Sequence, residues 1–434
     1  MNAICLVIDR LHVGYLGCYG NAWVRTPTFD RLAAEGFIFD QALTDSPRLE
    51  DVCESYWSGV HGLWRRAGRE LRSLPRELAA AGISTTLVTD DARLASHPRS
   101  DNFAALANLA EALPTLAAED VEQTQTARLF AAACAALDAA REPFCLWLHA
   151  GGVDHAWDAP REFRDLYAEE DEPVPPDFVA VPRQLLADDH DPDERWGICQ
   201  AYAAQVSLID LCLSGLLEWL TANPAGRETL LVVTAPRGFP LGEHGRIGDW
   251  DEALHAELVH VPLLIRFPDQ QGASGRSSAL VQPADVFATL LDWFGLREVQ
   301  GGGSGRSLLP LVDNEEAVLR DRACAVAGNG ERGIRTPAWY LRVRHSDEGR
   351  TNAHDGGTSF KPGADGLSSS DLSLGEAQLY KKPDDMWEVN DVANRCADVV
   401  DALKRTLADA EAAAATGTQA IPPPLEDVLL SGYD

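Results

Sequence analysis

Ionisable side chains stand at or just beyond the ends of three short apolar runs in this 434-residue chain. Asp9 and Arg10 follow Ile4–Ile8, His149 closes Phe144–His149, and Arg237 stands three residues beyond Leu230–Thr234. When such runs form a buried parallel sheet, the functional crevice lies beyond the carboxyl ends of the strands, so chemistry is expected at these positions. Converging carboxylates there would hold a hard cation. Guanidiniums would instead pair with the carboxylates or receive an anion through their planar fork of donors. Asp154 and His155 offer an acid–base pair by type, although adjacent side chains usually point apart. His149 reads either as a pocket residue or as a hydrogen-bonded core histidine. Glu243 and His244 sit in Leu241–Gly245, where a turn is the simpler role and a place at the pocket mouth the sharper one.

The elements that must position these groups alternate in kind. Ile4–Ile8, Ser84–Thr89, Phe144–His149, Leu230–Thr234 and Val261–Phe267 are short, apolar and strand-like. Between them lie helical patterns, clearest where Tyr202, Val206, Ile209, Leu213, Leu216, Leu217 and Leu220 recur at spacings of three and four. Asp191 is an N-cap for that helix, Pro192 its first residue, and Asp193 and Glu194 its acidic first turn. Strands alternating with helices predict an α/β fold with a largely parallel central sheet flanked by helices. We read residues 1–320 as the α/β domain, 321–412 as a small C-terminal α+β subdomain with a helix from about Asn394 to Ala412, and 413–434 as a tail. Ala168–Arg195, acidic and proline-bearing, predicts a solvated loop; 346–373, rich in Gly, Ser and Asp, predicts a flexible one.

Composition narrows the function classes. Thirty-seven basic against sixty-seven acidic residues give a net charge of −30. Such a surface repels nucleic-acid phosphates and anionic membranes, so neither is expected as a partner. Hydrophobic residues make up 45% of the chain, enough for a large core. The opening residues lack a basic segment before the apolar run, and no stretch reads as the roughly 18 apolar residues that cross a bilayer. Nine cysteines without a CxxC pair predict neither a disulfide framework nor a zinc site. The expectation is a reduced, cytoplasmic protein.

Read in order, the strand ends and their neighbours resemble the sulfatases of the alkaline-phosphatase superfamily. The resemblance rests on Ile4–Asp9, Leu16-Gly17-Cys18-Tyr19-Gly20-Asn21, Arg25-Thr26-Pro27, Asp30–Gly36 and Ser58-Gly59. It continues through Gly82–Val88, Leu241–Gly245, Val261–Ile265, Gln282–Asp285, Thr289–Asp292 and Leu379-Tyr380 with Glu388-Val389-Asn390. It implies an alkaline-phosphatase-like fold, a calcium or magnesium ion, a Cys or Ser nucleophile in C/S-x-P-S-R, and often a homodimer. The family has two consecutive aspartates after the first strand; here stand Asp9 and Arg10. Its Ser-Asp-His-Gly after a late strand is Ala235-Pro236-Arg237-Gly238. Counting back from Ser58-Gly59 puts Leu49 at the nucleophile, Glu50 beside it and Asp51 at the proline; Cys53 falls four residues late and reads as an ordinary helix cysteine. The family's Gly-Lys-x-His is replaced by Thr89-Asp90-Asp91-Ala92. The lysine expected after Leu241–Gly245 is missing, with Arg246 and Asp249 the nearest ionic residues. A family histidine aligns with Asp154 or, one residue on, with His155.

The resemblance therefore implies a sulfatase-like protein that lacks its nucleophile and three of four metal ligands. The expectation is a catalytically inactive, metal-free member acting as a binding or partner protein, without cofactor. Arg10 and Arg237, beside Asp9 and near Glu50 and Asp51, would plug the abandoned site as an ion-pair network. Two alternatives stay open: Arg10 and Arg237 receiving a small anion, sulfate or phosphate, and an ester hydrolase with a rearranged site using His149 or His155 as base.

Overall fold

The computed structural model describes every residue except 66–70, 170–171, 249, 251–252, 297–303, 314–317, 346–373, 417–422 and 433–434. The loop expected over 346–373, residue Asp249 and part of the tail thus lie outside the described residues. In chain order the strands are β1 (Asn2–Ile8), β2 (Phe37–Leu43), β3 (Ser84–Thr89), β4 (Ala105–Asn108), β5 (Phe144–Ala150), β6 (Arg183–Leu185), β7 (Thr229–Thr234) and β8 (Arg246–Gly248). They continue with β9 (His260–Val261), β10 (Leu263–Arg266), β11 (Gly275–Val281), β12 (Ala323–Val326), β13 (Arg332–Arg335), β14 (Trp339–His345) and β15 (Leu374–Lys381).

The central sheet has the order β11-β2-β10-β7-β1-β5-β3-β4, with β9 beside β2. β1 runs parallel to both β5 and β7, and β3 parallel to β5, so their carboxyl ends open on one side. β10, between β7 and β2, and β9, beside β2, run antiparallel to their neighbours. All seven residues of β1 and of β5 are buried, as expected of strands covered on both faces. The single run expected over Val261–Phe267 is split at Pro262, which has no N–H for a ladder. Its carbonyl accepts from Thr234 Oγ1 at 2.9 Å.

The long helix spans Pro192–Ala222, and the Asp191 carboxylate accepts from Asp193 N at 3.0 Å, the cap that the sequence signals. One window of it is apolar enough to cross a bilayer, which corrects the expectation that no stretch approaches that length. Of that window, 72% is buried inside the protein, the behaviour of a core helix. The solvated stretch 168–195 contributes β6, which pairs with β8.

β12 to β15 form a separate antiparallel sheet. The helix Ala397–Thr416 lays Val399, Leu403 and Leu407 against Leu341 and Leu379 of that sheet. These apolar residues at i, i+4 and i+8 carry the packing of an amphipathic helix.

Candidate functional site

Four chain segments meet beyond the carboxyl ends of β1, β3, β5 and β7. After β1, Asp9 N donates to Ala150 O at 2.9 Å, and the Asp9 side chain is fully buried. The next residue, Arg10, has φ 63°, a left-handed conformation that costs a non-glycine residue about 1–2 kcal/mol. The Tyr202 hydroxyl holds the turn: it donates to Arg10 O and accepts from His12 N, both at 2.8 Å. After β7, Arg237 meets Asp9 in a two-pronged pair, Nε to Oδ1 and Nη2 to Oδ2, each 2.9 Å. Arg237 Nη1 also donates to Pro47 O at 3.3 Å, just before the helix Leu49–Ser58.

After β5 the chain turns tightly through Gly151–Asp154, with Asp154 N donating to Gly151 O. Gly152 has φ 58°, and a Cβ there would lie 2.6 Å from Asp9 O, so this close approach needs glycine. The turn delivers Asp154 to the centre. Its Oδ1 accepts from Arg10 Nε at 3.0 Å; its Oδ2 accepts from Arg93 Nη2 at 2.6 Å and Arg237 Nη2 at 3.3 Å. After β3, Asp91 caps the short helix Ala92–Ala95 and pairs with Arg93 Nη2 at 2.6 Å.

Three carboxylates (Asp9, Asp91, Asp154) thus face three guanidiniums (Arg10, Arg93, Arg237) in one continuous network. Burial would raise the Asp154 carboxyl, but Arg10, Arg237 and Arg93 overcome it and hold the group at about 2. Burial likewise works against ionised Asp91, yet His155 and Arg93 keep it well below the usual carboxylate range. His155 stands 3.8 Å from both Asp90 and Asp91, at ion-pair rather than hydrogen-bond distance. Asp154 and His155 therefore engage different partners and form no acid–base dyad. His149 is buried, and neither ring nitrogen has a hydrogen-bond partner. Burial pushes it down to about 4, so the ring is neutral.

A metal can be tested against this arrangement. Asp9, Asp91 and His149 bring one potential ligand atom each within 4.8 Å of one another. A dication among them would meet guanidiniums already seated on the same carboxylates, Arg237 on both oxygens of Asp9 and Arg93 on Asp91. Among the described residues those three guanidiniums already match the three carboxylates in number, so a dication would add buried positive charge beside them, and the residues do not fit the family ion. Leu49, where the resemblance would place the nucleophile, is apolar and buried. Burial raises the Cys53 thiol well above its ordinary range, which disfavours the thiolate.

The other candidate residues lie apart from this network. Glu50 is exposed, and half-buried Asp51 pairs with Arg65 at 3.2 Å. Glu243 accepts from Leu241 N at 2.7 Å, the turn role, and lies 3.5 Å from His12 Nε2. His244 pairs with Glu257 at 2.8 Å and joins His255 and Glu388 in a second group of potential metal ligands. There the two imidazoles stack, with centroids 3.6 Å apart and planes 15° from parallel. Their in-plane lone pairs run side by side instead of converging. Arg342 Nη1 also lies 2.6 Å from His255 Nδ1, so a cation is already in place. The sequence reading missed Arg93. Asp91, a helix cap two residues before it, was the available signal.

His155 carries a pH prediction. Burial would lower its pKa, but Asp91 and Asp90 outweigh burial and raise it to about 8. Its contribution is therefore full below the unfolded value of about 6.5 and is lost as pH rises through 8. We expect the stability difference between wild type and His155→Gln to shrink by about 2 kcal/mol across that window, read by urea unfolding. A difference independent of pH would refute the pairing.

A mostly parallel, helix-flanked sheet with its candidate site beyond the strand ends, and a C-terminal antiparallel sheet beside it, defines an alkaline-phosphatase-like fold. Residues 1–296 match the sulfatase family, and the chain belongs to that family. It is 35% identical over 116 residues to an N-acetylglucosamine-6-O-sulfatase of Bacteroides thetaiotaomicron, covering 26% of this chain and 20% of that one. It is 23% identical over 359 residues to human iduronate 2-sulfatase, covering 68% and 63%. The chain thus spans less than two thirds of either relative's length. Among solved structures, a phosphonate monoester hydrolase of Agrobacterium radiobacter superimposes with a TM-score of 0.72 at 17% identity, covering 95% of this chain and 96% of that one.

Proposed function

We propose that this protein is a sulfatase-family member that carries no metal at the family site, hydrolyses no sulfate ester there, and acts by binding. The observation that carries the reading is the two-pronged Arg237–Asp9 pair, which sets a fixed cation where the family resemblance calls for a dication between carboxylates. Leu49 supports it, since an apolar side chain cannot attack sulfur or phosphorus. Arg10 and Arg237 are both turned onto carboxylates, which weighs against the alternative of a small sulfate or phosphate held between them. The nine free cysteines fit a reducing compartment.

Two measurements on the purified full chain test this. Elemental analysis is expected to find substoichiometric calcium and magnesium. Assays with aryl sulfates, phosphates and phosphonates are expected to show no turnover above buffer. A stoichiometric dication beside Asp9 would sink the metal-free reading. Turnover abolished by Arg237→Ala would establish the rival, an ester hydrolase with a rearranged site.

A further inference from the structure

A cavity of about 380 Å³ lies away from the ion-pair network, between the central-sheet edge (β2 and β11), the C-terminal sheet and the segment Lys382–Glu388. Its volume is in the range of small-molecule sites. Apolar atoms of Leu43, Val259, Tyr340 and Met386 supply much of its wall.

The charges around it do not cancel. Arg276 is paired with Asp40. Lys382 Nζ lies 3.5 Å from Glu388 Oε1 and donates to Met386 O at 2.8 Å. His260 is neutral, because burial pushes it down to about 4, and its Nε2 bonds Asp40 O at 2.8 Å. Arg335 is left over. It ends β13, is 7% exposed, and its Nη2 donates to the neutral Gln41 Oε1 at 2.7 Å. Its Nη1 is buried and has no hydrogen-bond partner; among the described residues no carboxylate stands within ion-pair distance of it, and Glu388, which acts on it from further off, is shared with Lys382. Burial lowers its pKa to about 9 against the opposing pull of Glu388, and also lowers Lys382 to about 8. Arg276, Arg335 and Lys382 thus line the cavity against Asp40 and Glu388, and a buried charge with no counter-ion in contact is costly.

We propose that this cavity binds a small organic monoanion with an apolar body, its charged end neutralising Arg335 and its body packing on Leu43, Val259 and Tyr340. The inference is independent of the proposed function: it concerns a different cavity, and the Asp9 network does not enter it.

The test is calorimetric titration and thermal shift on the full chain with benzoate, phenyl sulfate and phenyl phosphate. Benzyl alcohol serves as the neutral analogue. We expect saturable binding of at least one anion and none of the alcohol. Which anion binds best separates a carboxylate from a sulfate or phosphate ester as the preferred end group. Arg335→Met should weaken that binding by about tenfold or more, and Arg335→Lys should retain part of it. Without ligand, Arg335→Met should melt no lower than wild type, because it removes an uncompensated buried charge. No binding of any anion, equal binding of the alcohol, or unchanged affinity in Arg335→Met would overturn the proposal. So would a melting point well below wild type, which would assign the guanidinium to holding Gln41.

Discussion

Replacing Arg237 by methionine is expected to lower the unfolding free energy by about 3–5 kcal/mol, the usual loss when one partner of a buried ion pair is removed. Methionine fills comparable volume, so the loss reads charge rather than a cavity. The reason is local. Asp9 is fully buried, and Arg237 contacts both of its carboxylate oxygens at 2.9 Å. Without that guanidinium Arg93, 3.6 Å away, is the cation that still pairs with Asp9 among the described residues. Asp9→Asn in the same background removes the orphaned charge and should restore much of the loss. Millimolar calcium should stabilise Arg237→Met, whose network is left with excess negative charge, and leave wild type unaffected. Urea unfolding of the single and double variants measures all three. Wild-type stability in Arg237→Met would remove the ion pair from its central place.

Asp154→Asn is the second large effect, and its sign is opposite for charge. Asp154 accepts from Arg10, Arg93 and Arg237, so losing its charge removes one carboxylate that all three guanidiniums share. A destabilisation of about 3 kcal/mol or more is expected at neutral pH. The same group sets an acid limit. Its folded pKa of about 2 lies below the unfolded value near 3.9. Its contribution is therefore present above about pH 4 and is lost as pH falls through 2, on the order of 2–3 kcal/mol. Asp91, also held low, loses its contribution in the same direction. Acid unfolding of wild type should accordingly be steeper than that of Asp154→Asn. Superimposable acid limbs would show that Asp154 does not titrate as a paired carboxylate.

Much of the frame was legible in the sequence because buried parallel strands are apolar runs with sharp ends. Ser84–Thr89 was read to the residue, and Asp191-Pro192 announced the long helix. β2, Phe37–Leu43, was not, because Asp40 and Gln41 interrupt its apolar run. At the site, Asp9 is legible as the family carboxylate that is kept, and Arg10 and Arg237 as arginines at family metal-ligand positions. Their partners were harder to read. Glu50 was grouped with Asp9 by nearness in the chain, but the helix Leu49–Ser58 buries Leu49, Val52 and Cys53 and turns Glu50 to solvent. That spacing of three and four was itself readable. Asp154 came to the network through a glycine turn whose geometry no residue count reveals. Arg93 belongs to no motif, and its place two residues after the helix cap Asp91 is the one sign of it in the sequence.

The Arg237–Asp9 pair has a consequence for how the centre is filled. A bound ion exchanges with a pool, so its residence depends on how much of it the surroundings contain. Arg237 is tethered through its own backbone, and its local concentration at Asp9 is fixed when the chain folds. Dilution cannot empty such a centre, and a competing cation has to outdo that fixed local concentration.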